Sequence, residues 1–235
     1  MPRKKLEEAL CKVDWNANIA AFIKTEDGPD LIAKANLRLA IWSKQFENAD
    51  RGNAALSFIK EMQVAGYSVA ALSGLALYKP AAAAMRTVFE TALYYTYFRV
   101  HPSELATLTR DPDYFLQKSD LLEYHKTHTP GFNYCQSRFS LIQNINKWYR
   151  YVSSVTHGQI PGIWVEHRSL AEIRHQHSLL EEVIKTFCLG EEIVHHLFLC
   201  TVARELWNGF SSLAKKKLLS GTDAELKTAL GFDTA

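Results

Sequence analysis

The chain predicts an all-α fold, because apolar residues recur at spacings of three and four through most of its length and no stretch alternates apolar and polar residues between Asn-Gly or Asp-Gly turns. Asp27-Gly28-Pro29, Lys79-Pro80, His101-Pro102 and Gly158 with Pro161 punctuate the periodic stretches. With 47% apolar and 22% charged residues over 235 positions, one hydrophobic core suffices, and residues 1–235 are expected to form a single helical bundle ending in a long helix or helix pair.

The first helix is expected from Arg3 to Val13. Asp27-Gly28-Pro29 then breaks the chain and Asp30 is placed to cap a second helix to about Ala49, with Leu31, Ala35, Leu39, Trp42 and Phe46 as its core stripe. Asn53 to about Tyr78 is rich in Ala and Leu and forms the third. Pro80 suits the first turn of the fourth, which runs to about Val100 and closes at His101-Pro102-Ser103. Ser103-Glu104 and Asp111-Pro112-Asp113 indicate short helices separated by turns. Thr127, Thr129, Pro130-Gly131 and Asn133 make His125 to Ser137 read as a loop. Phe139, Ile142, Ile145, Trp148, Tyr149 and Val152 restore the helical period, which Gly158 and Pro161 stop. The last pattern runs from Ser169 to about Leu219, as one long helix or two, with a bend at Gly190.

Several function classes lose support at this level. There is no Gly-rich phosphate loop, GxSxG elbow, HExxH or Walker pattern. The four cysteines, Cys11, Cys135, Cys188 and Cys200, are scattered and read as reduced thiols. His175, His177, His195 and His196 lack a completing carboxylate, so neither a metal nor another cofactor is expected. Tyr94, Tyr95, Tyr97 and Phe98 read as core rather than as a base-stacking platform. MPRKKLEEAL lacks the apolar segment of an export signal, and the longest uncharged stretch, Met62 to Tyr78, is too polar for a membrane span. A cytoplasmic protein without a membrane partner is expected. A formal net charge of +2 leaves any nucleic-acid site to be local.

One such site is visible at the end of Trp148-Tyr149-Arg150-Tyr151-Val152-Ser153-Ser154-Val155-Thr156-His157-Gly158. At 100° per residue, Arg150, Ser153, Ser154 and His157 share a helix face, with Tyr149, Val152, Val155 and Thr156 elsewhere. A forked guanidinium for phosphate, hydroxyls for further hydrogen bonds and an imidazole that titrates near neutrality suit metal-independent cleavage of RNA. Cations at a helix end also complement its dipole, and Arg86 and Glu90 also suit a plain intrahelical ion pair.

An Arg, six intervening residues and a helix-terminal His, preceded by Ala82-Ala83-Ala84-Met85-Arg86-Thr87-Val88-Phe89-Glu90, resembles the HEPN superfamily over about residues 65–205. The resemblance implies a helical bundle, a homodimer that brings two Arg/His faces together, and a ribonuclease of toxin–antitoxin or antiviral defence type. It assigns catalysis to Arg150 and His157, with Ser153, Ser154, Arg86 and Glu90 in support. The chain departs from the pattern at Tyr151, where the family often has Asn, Asp or His after the Arg. Two other classes stay open: a non-catalytic helical module binding a partner protein or antitoxin, and a bundle holding a small ligand among its aromatics.

Overall fold

The computed structural model describes residues 2–164, 167–222 and 224–232, and every regular element among them is a helix. In chain order these are Pro2–Cys11 (α1), Trp15–Ile23 (α2), Gly28–Ala49 (α3), Leu56–Gly74 (α4), Tyr78–Phe98 (α5), Pro102–Arg110 (α6), Lys118–His128 (α7), Phe132–Arg138 (α8), Leu141–Thr156 (α9), His177–Cys200 (α10), Ala203–Leu206 (α11), Ser212–Leu218 (α12) and Ala224–Leu230 (α13). Leu170–Glu172 and Trp207–Gly209 add single 3-10 turns. No described helix is long and apolar enough to cross a membrane.

The all-α expectation holds, and α10 is the hub: it packs against α5, α3 and α9, while α4 and α5 make the most extensive helix pair. Trp42 of α3 sits fully buried against Phe46 and Phe198, with ring centroids 5.3 Å from each. Its indole Nε1 donates to His195 Nδ1 at 3.0 Å, which satisfies the one polar atom that the ring carries inside.

Several elements differ from the sequence expectation, each for a physical reason. The helix α2 was not foreseen; Asp14 caps it, Oδ1 accepting from Ala17 N at 2.8 Å. The next helix begins at Gly28 rather than after an Asp30 cap, because Pro29 fits its first turn. Leu31 is 41% exposed, and Ile32 joins the core stripe in its place. The stretch read as a loop at His125 to Ser137 is mostly helix: α7 runs through His128, Gly131 turns the chain at φ +76°, and α8 follows. Burial of Leu121, Leu122, Phe132 and Cys135 outweighs the weak local propensity there. The last pattern is neither one helix nor a simple pair, since α10 stops at Cys200 and two short helices, α11 and α12, follow before Leu219.

The helix α10 runs uninterrupted through Gly190. A Cβ built there would meet Cζ2 of Trp148 at 2.4 Å, so the glycine exists to let an indole lie against the helix backbone. Trp148 is fixed in that position, its Nε1 donating to the Thr186 carbonyl at 2.8 Å. The Gly190→Ala variant is therefore expected to lose about 1–3 kcal/mol of stability despite the better helix propensity of alanine. Chemical denaturation followed by circular dichroism reads the loss; an unchanged midpoint contradicts this packing.

A second prediction concerns acid. Thr96 donates its hydroxyl to the Leu93 carbonyl at 2.7 Å, so it accepts from His125 Nε2 at 2.8 Å, and His125 Nδ1 accepts from Thr129. Burial, then the neighbouring His101, lowers the His125 pKa from 6.5 to about 4. The unfolded chain binds more protons between those values, so stability is complete above about pH 6.5 and falls as pH drops toward 4, by roughly 3 kcal/mol for this site. Melting curves from pH 7 to 4 should show the fall, and His125→Gln should flatten it.

Candidate active site on α5 and α9

The site is built from how α9 is held. Trp148 lies between Gly190 of α10 and Phe89 of α5, whose ring centroid is 5.9 Å away. One residue further the helix has turned 100°, so Tyr149 meets α5, and Ser153 and His157 follow it at four-residue steps along one stripe. The end of α9 is a Schellman turn: Gln159 N donates to Ser154 O at 3.0 Å and Gly158 N to Val155 O at 3.2 Å. Gly158 adopts φ +65°, the left-handed conformation that this turn requires. His157 is thereby presented at the exposed tip of the helix.

From α5, Arg86 and Glu90 face the stripe. Arg86 Nη1 donates to His157 Nε2 at 2.7 Å, and its Nη2 donates to Glu90 Oε1 at 2.7 Å and to the Tyr149 hydroxyl at 2.9 Å. The Tyr149 hydroxyl donates in turn to the same Glu90 oxygen at 2.6 Å. Burial works against the Arg86 charge, but the bond to Glu90 and its negative charge outweigh it, so the pKa is raised and the guanidinium stays charged. Burial, then Glu90, raises the Tyr149 phenol, which stays protonated as a donor. A guanidinium has no acceptor, so the bond to His157 Nε2 requires a lone pair there: the imidazole is neutral with its proton on Nδ1.

Further cations surround this network. Arg86 Cζ and Lys118 Nζ lie 5.1 and 5.2 Å from the Tyr149 ring centroid. Lys118, at the start of α7, donates to Asn146 Oδ1 at 2.6 Å, and burial together with the Arg150 charge lowers its pKa. Lys79 Nζ sits near the end of α9, 3.3 Å from where a Cβ on Gly158 would stand. Arg86 Nε and Ser153 Oγ are buried without a hydrogen-bond partner among the described residues.

The structure thus brings together four of the residues singled out in the sequence, His157, Arg86, Glu90 and Ser153. Arg150 stands apart: it is exposed, makes no hydrogen bond or ion pair among the described residues, and precedes His157 by two turns, about 10.5 Å of helix rise. The guanidinium in contact with His157 is that of Arg86. Ser154 is buried and its hydroxyl bonds back to the Tyr151 carbonyl at 2.7 Å, away from the cluster. Tyr149 belongs to the site although the wheel argument set it aside; its signal was the four-residue repeat Tyr149, Ser153, His157. Lys118 and Lys79 had no local signal, since other helices supply them.

Elsewhere, the rings of His175 and His177 lie 6.5 Å apart, His195 is bonded to Trp42, and His196 stacks on Phe139 at 3.9 Å. Among the described residues no three His, Cys, Asp or Glu side chains gather as a metal-binding group.

An imidazole with one nitrogen held by a guanidinium can accept or donate a proton, and among the described residues the cluster sets Glu90 against the cations Arg86, Lys118 and Lys79, which suits an anionic substrate. Comparison with known proteins adds no assignment: no family model, no curated protein and no solved structure matches the chain.

The tautomer is testable. Nitrogen-15 spectra of the folded protein at alkaline pH should show His157 protonated at Nδ1, the minor form of a free histidine side chain, and Arg86→Ala should return it to the Nε2-protonated form. An Nε2-protonated His157 in the wild type contradicts the Arg86 contact.

Proposed function

We propose that this chain is a metal-independent endoribonuclease, or a defence or toxin protein derived from one, with His157 as its proton-transfer group and Arg86 as the cation beside it. The carrying observation is the 2.7 Å contact of Arg86 with an exposed His157, inside a patch that holds more cations than anions. The chemistry is transesterification. The 2'-hydroxyl attacks the adjacent phosphorus as its proton passes to His157 Nε2, the bond from phosphorus to the 5'-oxygen breaks, and that oxygen takes a proton from water, to which the imidazolium afterwards returns its own. The products are a 2',3'-cyclic phosphate and a 5'-hydroxyl.

The resting hydrogen bonds support one order of events. His157 Nε2 is occupied by Arg86, so the base is freed when a phosphate oxygen takes over the Arg86 Nη1 donor; the guanidinium is then on the group whose charge grows in the transition state. Glu90 and Tyr149 hold Arg86 from its other side and keep the exchange local. Arg150, exposed and unpaired among the described residues, is left for a neighbouring phosphate of the same strand or for the second chain of a homodimer, where the resemblance to HEPN proteins puts a second Arg/His face.

A second reading is favoured by a different observation. Leu37, Val64 and Tyr67 on α3 and α4 are each more than half exposed, as befits a module that binds a partner protein or antitoxin.

A gel assay on total tRNA and mRNA with EDTA present separates the two. Wild type should cleave and leave cyclic or 3'-phosphate ends, His157→Ala should lose at least a hundredfold in rate, and Arg150→Ala should lose less, through weaker binding. Equal behaviour of wild type and His157→Ala favours the partner-binding module.

A further inference from the structure

A cavity of about 360 Å³ opens beside the cluster, between α5 and the start of α7, and shares Glu90, Lys118 and Tyr149 with it. Leu93, Leu116 and Leu121 supply its apolar lining, the first and last each 1% exposed and Leu116 half-buried, while Gln117, Lys118 and Ser119 add polar lining around the start of α7. Two polar groups are unspent there. Glu90 directs both of its hydrogen bonds through Oε1, and Oε2 has no partner among the described residues. Tyr94, one turn beyond Glu90, makes no hydrogen bond through its hydroxyl among the described residues, and it is held in place by edge contacts with Phe58 and Phe98 at 5.4 and 5.7 Å.

The volume lies at the lower end of that of small-ligand pockets, and a lining that mixes leucine side chains with hydrogen-bonding groups suits a heterocycle. Lys118 lines the cavity and also stands over the Tyr149 ring, and the Tyr149 hydroxyl accepts from Arg86, so the cavity adjoins the cluster.

We propose that this cavity is a nucleobase subsite, and that Glu90 Oε2 and the Tyr94 hydroxyl make it select a base carrying an exocyclic amine over uracil. A carboxylate only accepts, so it is satisfied by the exocyclic amine of cytosine, adenine or guanine, whereas uracil offers it one ring N–H flanked on both sides by carbonyl oxygens that repel it. Glu90 then has two duties on two oxygens: Oε1 orients Arg86, and Oε2 reads the base. The proposal deepens the ribonuclease reading and rests on it for the identity of the ligand as a nucleotide.

The test separates the two claims. Wild type, Leu116→Trp, Tyr94→Phe and His157→Ala are titrated by calorimetry with the four nucleoside 3'-monophosphates, up to millimolar concentration, with circular dichroism confirming that each variant is folded. Leu116→Trp fills the cavity from a half-buried position without touching Arg86 or His157, and Tyr94→Phe removes one hydroxyl. Wild type should bind the amine-bearing nucleotides at least tenfold more tightly than uridine 3'-monophosphate. Leu116→Trp should abolish the difference, Tyr94→Phe should reduce it, and His157→Ala should keep it. Equal affinities for all four nucleotides, no binding to the wild type, or full discrimination by Leu116→Trp overturns the subsite. The ribonuclease reading stands or falls separately, on the loss of RNA cleavage in His157→Ala.

Discussion

The contact between Trp148 and the backbone of α10 at Gly190 governs this molecule, because it fixes the rotation of α9 about its own axis. An indole pressed onto a glycine and bonded to the Thr186 carbonyl admits little freedom of roll. With Trp148 directed at α10, helical geometry sends the stripe of Tyr149, Ser153 and His157 toward α5. A roll of some tens of degrees would carry the His157 ring away from Arg86, so the site depends on a core contact that contains none of its residues. Phe89 links the two, packing on Trp148 at 5.9 Å and on Tyr149 at 5.8 Å, while its neighbours on α5 supply Arg86 and Glu90.

The same geometry explains why Arg86 can remain charged in a crowded place. It is 18% exposed, so water alone does not compensate its charge; Glu90, one turn away, does, and the Tyr149 hydroxyl completes the triangle. An i to i+4 ion pair on a solvated helix contributes only a few tenths of a kcal/mol, but here the guanidinium is also the tie between two helices. Its Nη1 meets His157 and its Nε is buried without a partner among the described residues, so Glu90 and Tyr149 hold Nη2 and Nη1 is the donor left for exchange.

Much of the fold was legible in the sequence, because periodicity reports burial and most of these helices bury one face. What escaped notice was short or sat beside breakers. The helices α7 and α8 are held by a few buried residues around a Gly131 turn, and their threonines and proline read as loop. The site was half legible. Arg86, Glu90, Ser153 and His157 carry recognisable spacings, but a wheel drawn from Arg150 gives the face on which residues cluster and not the direction of the neighbouring helix. Measured from Trp148, whose burial the periodicity did predict, the inner face contains Tyr149, and Arg150 turns out toward solvent. Lys79 and Lys118 come from other helices, and no local pattern announces a long-range neighbour.

In the proposed ribonuclease this arrangement would separate two roles that a single arginine fills in the simplest Arg/His scheme. Arg86 is placed by Glu90 and Tyr149, touches His157, and is confined to it; Arg150 has no such restraint and two helical turns between it and the imidazole. Confinement suits a group that must meet charge developing at one atom, because a donor already aimed needs no reorganisation when that charge appears. Mobility suits a group that captures an extended polyanion, whose phosphates arrive in many conformations and whose attraction acts over a distance of several ångströms. Removing Arg86 therefore disturbs folding, histidine tautomer and chemistry together, and its loss cannot apportion function. Arg150 and the half-buried Leu116 wall can be altered with the α5–α9 tie intact, so in the proposed ribonuclease they are the positions at which binding and base choice are separable from catalysis.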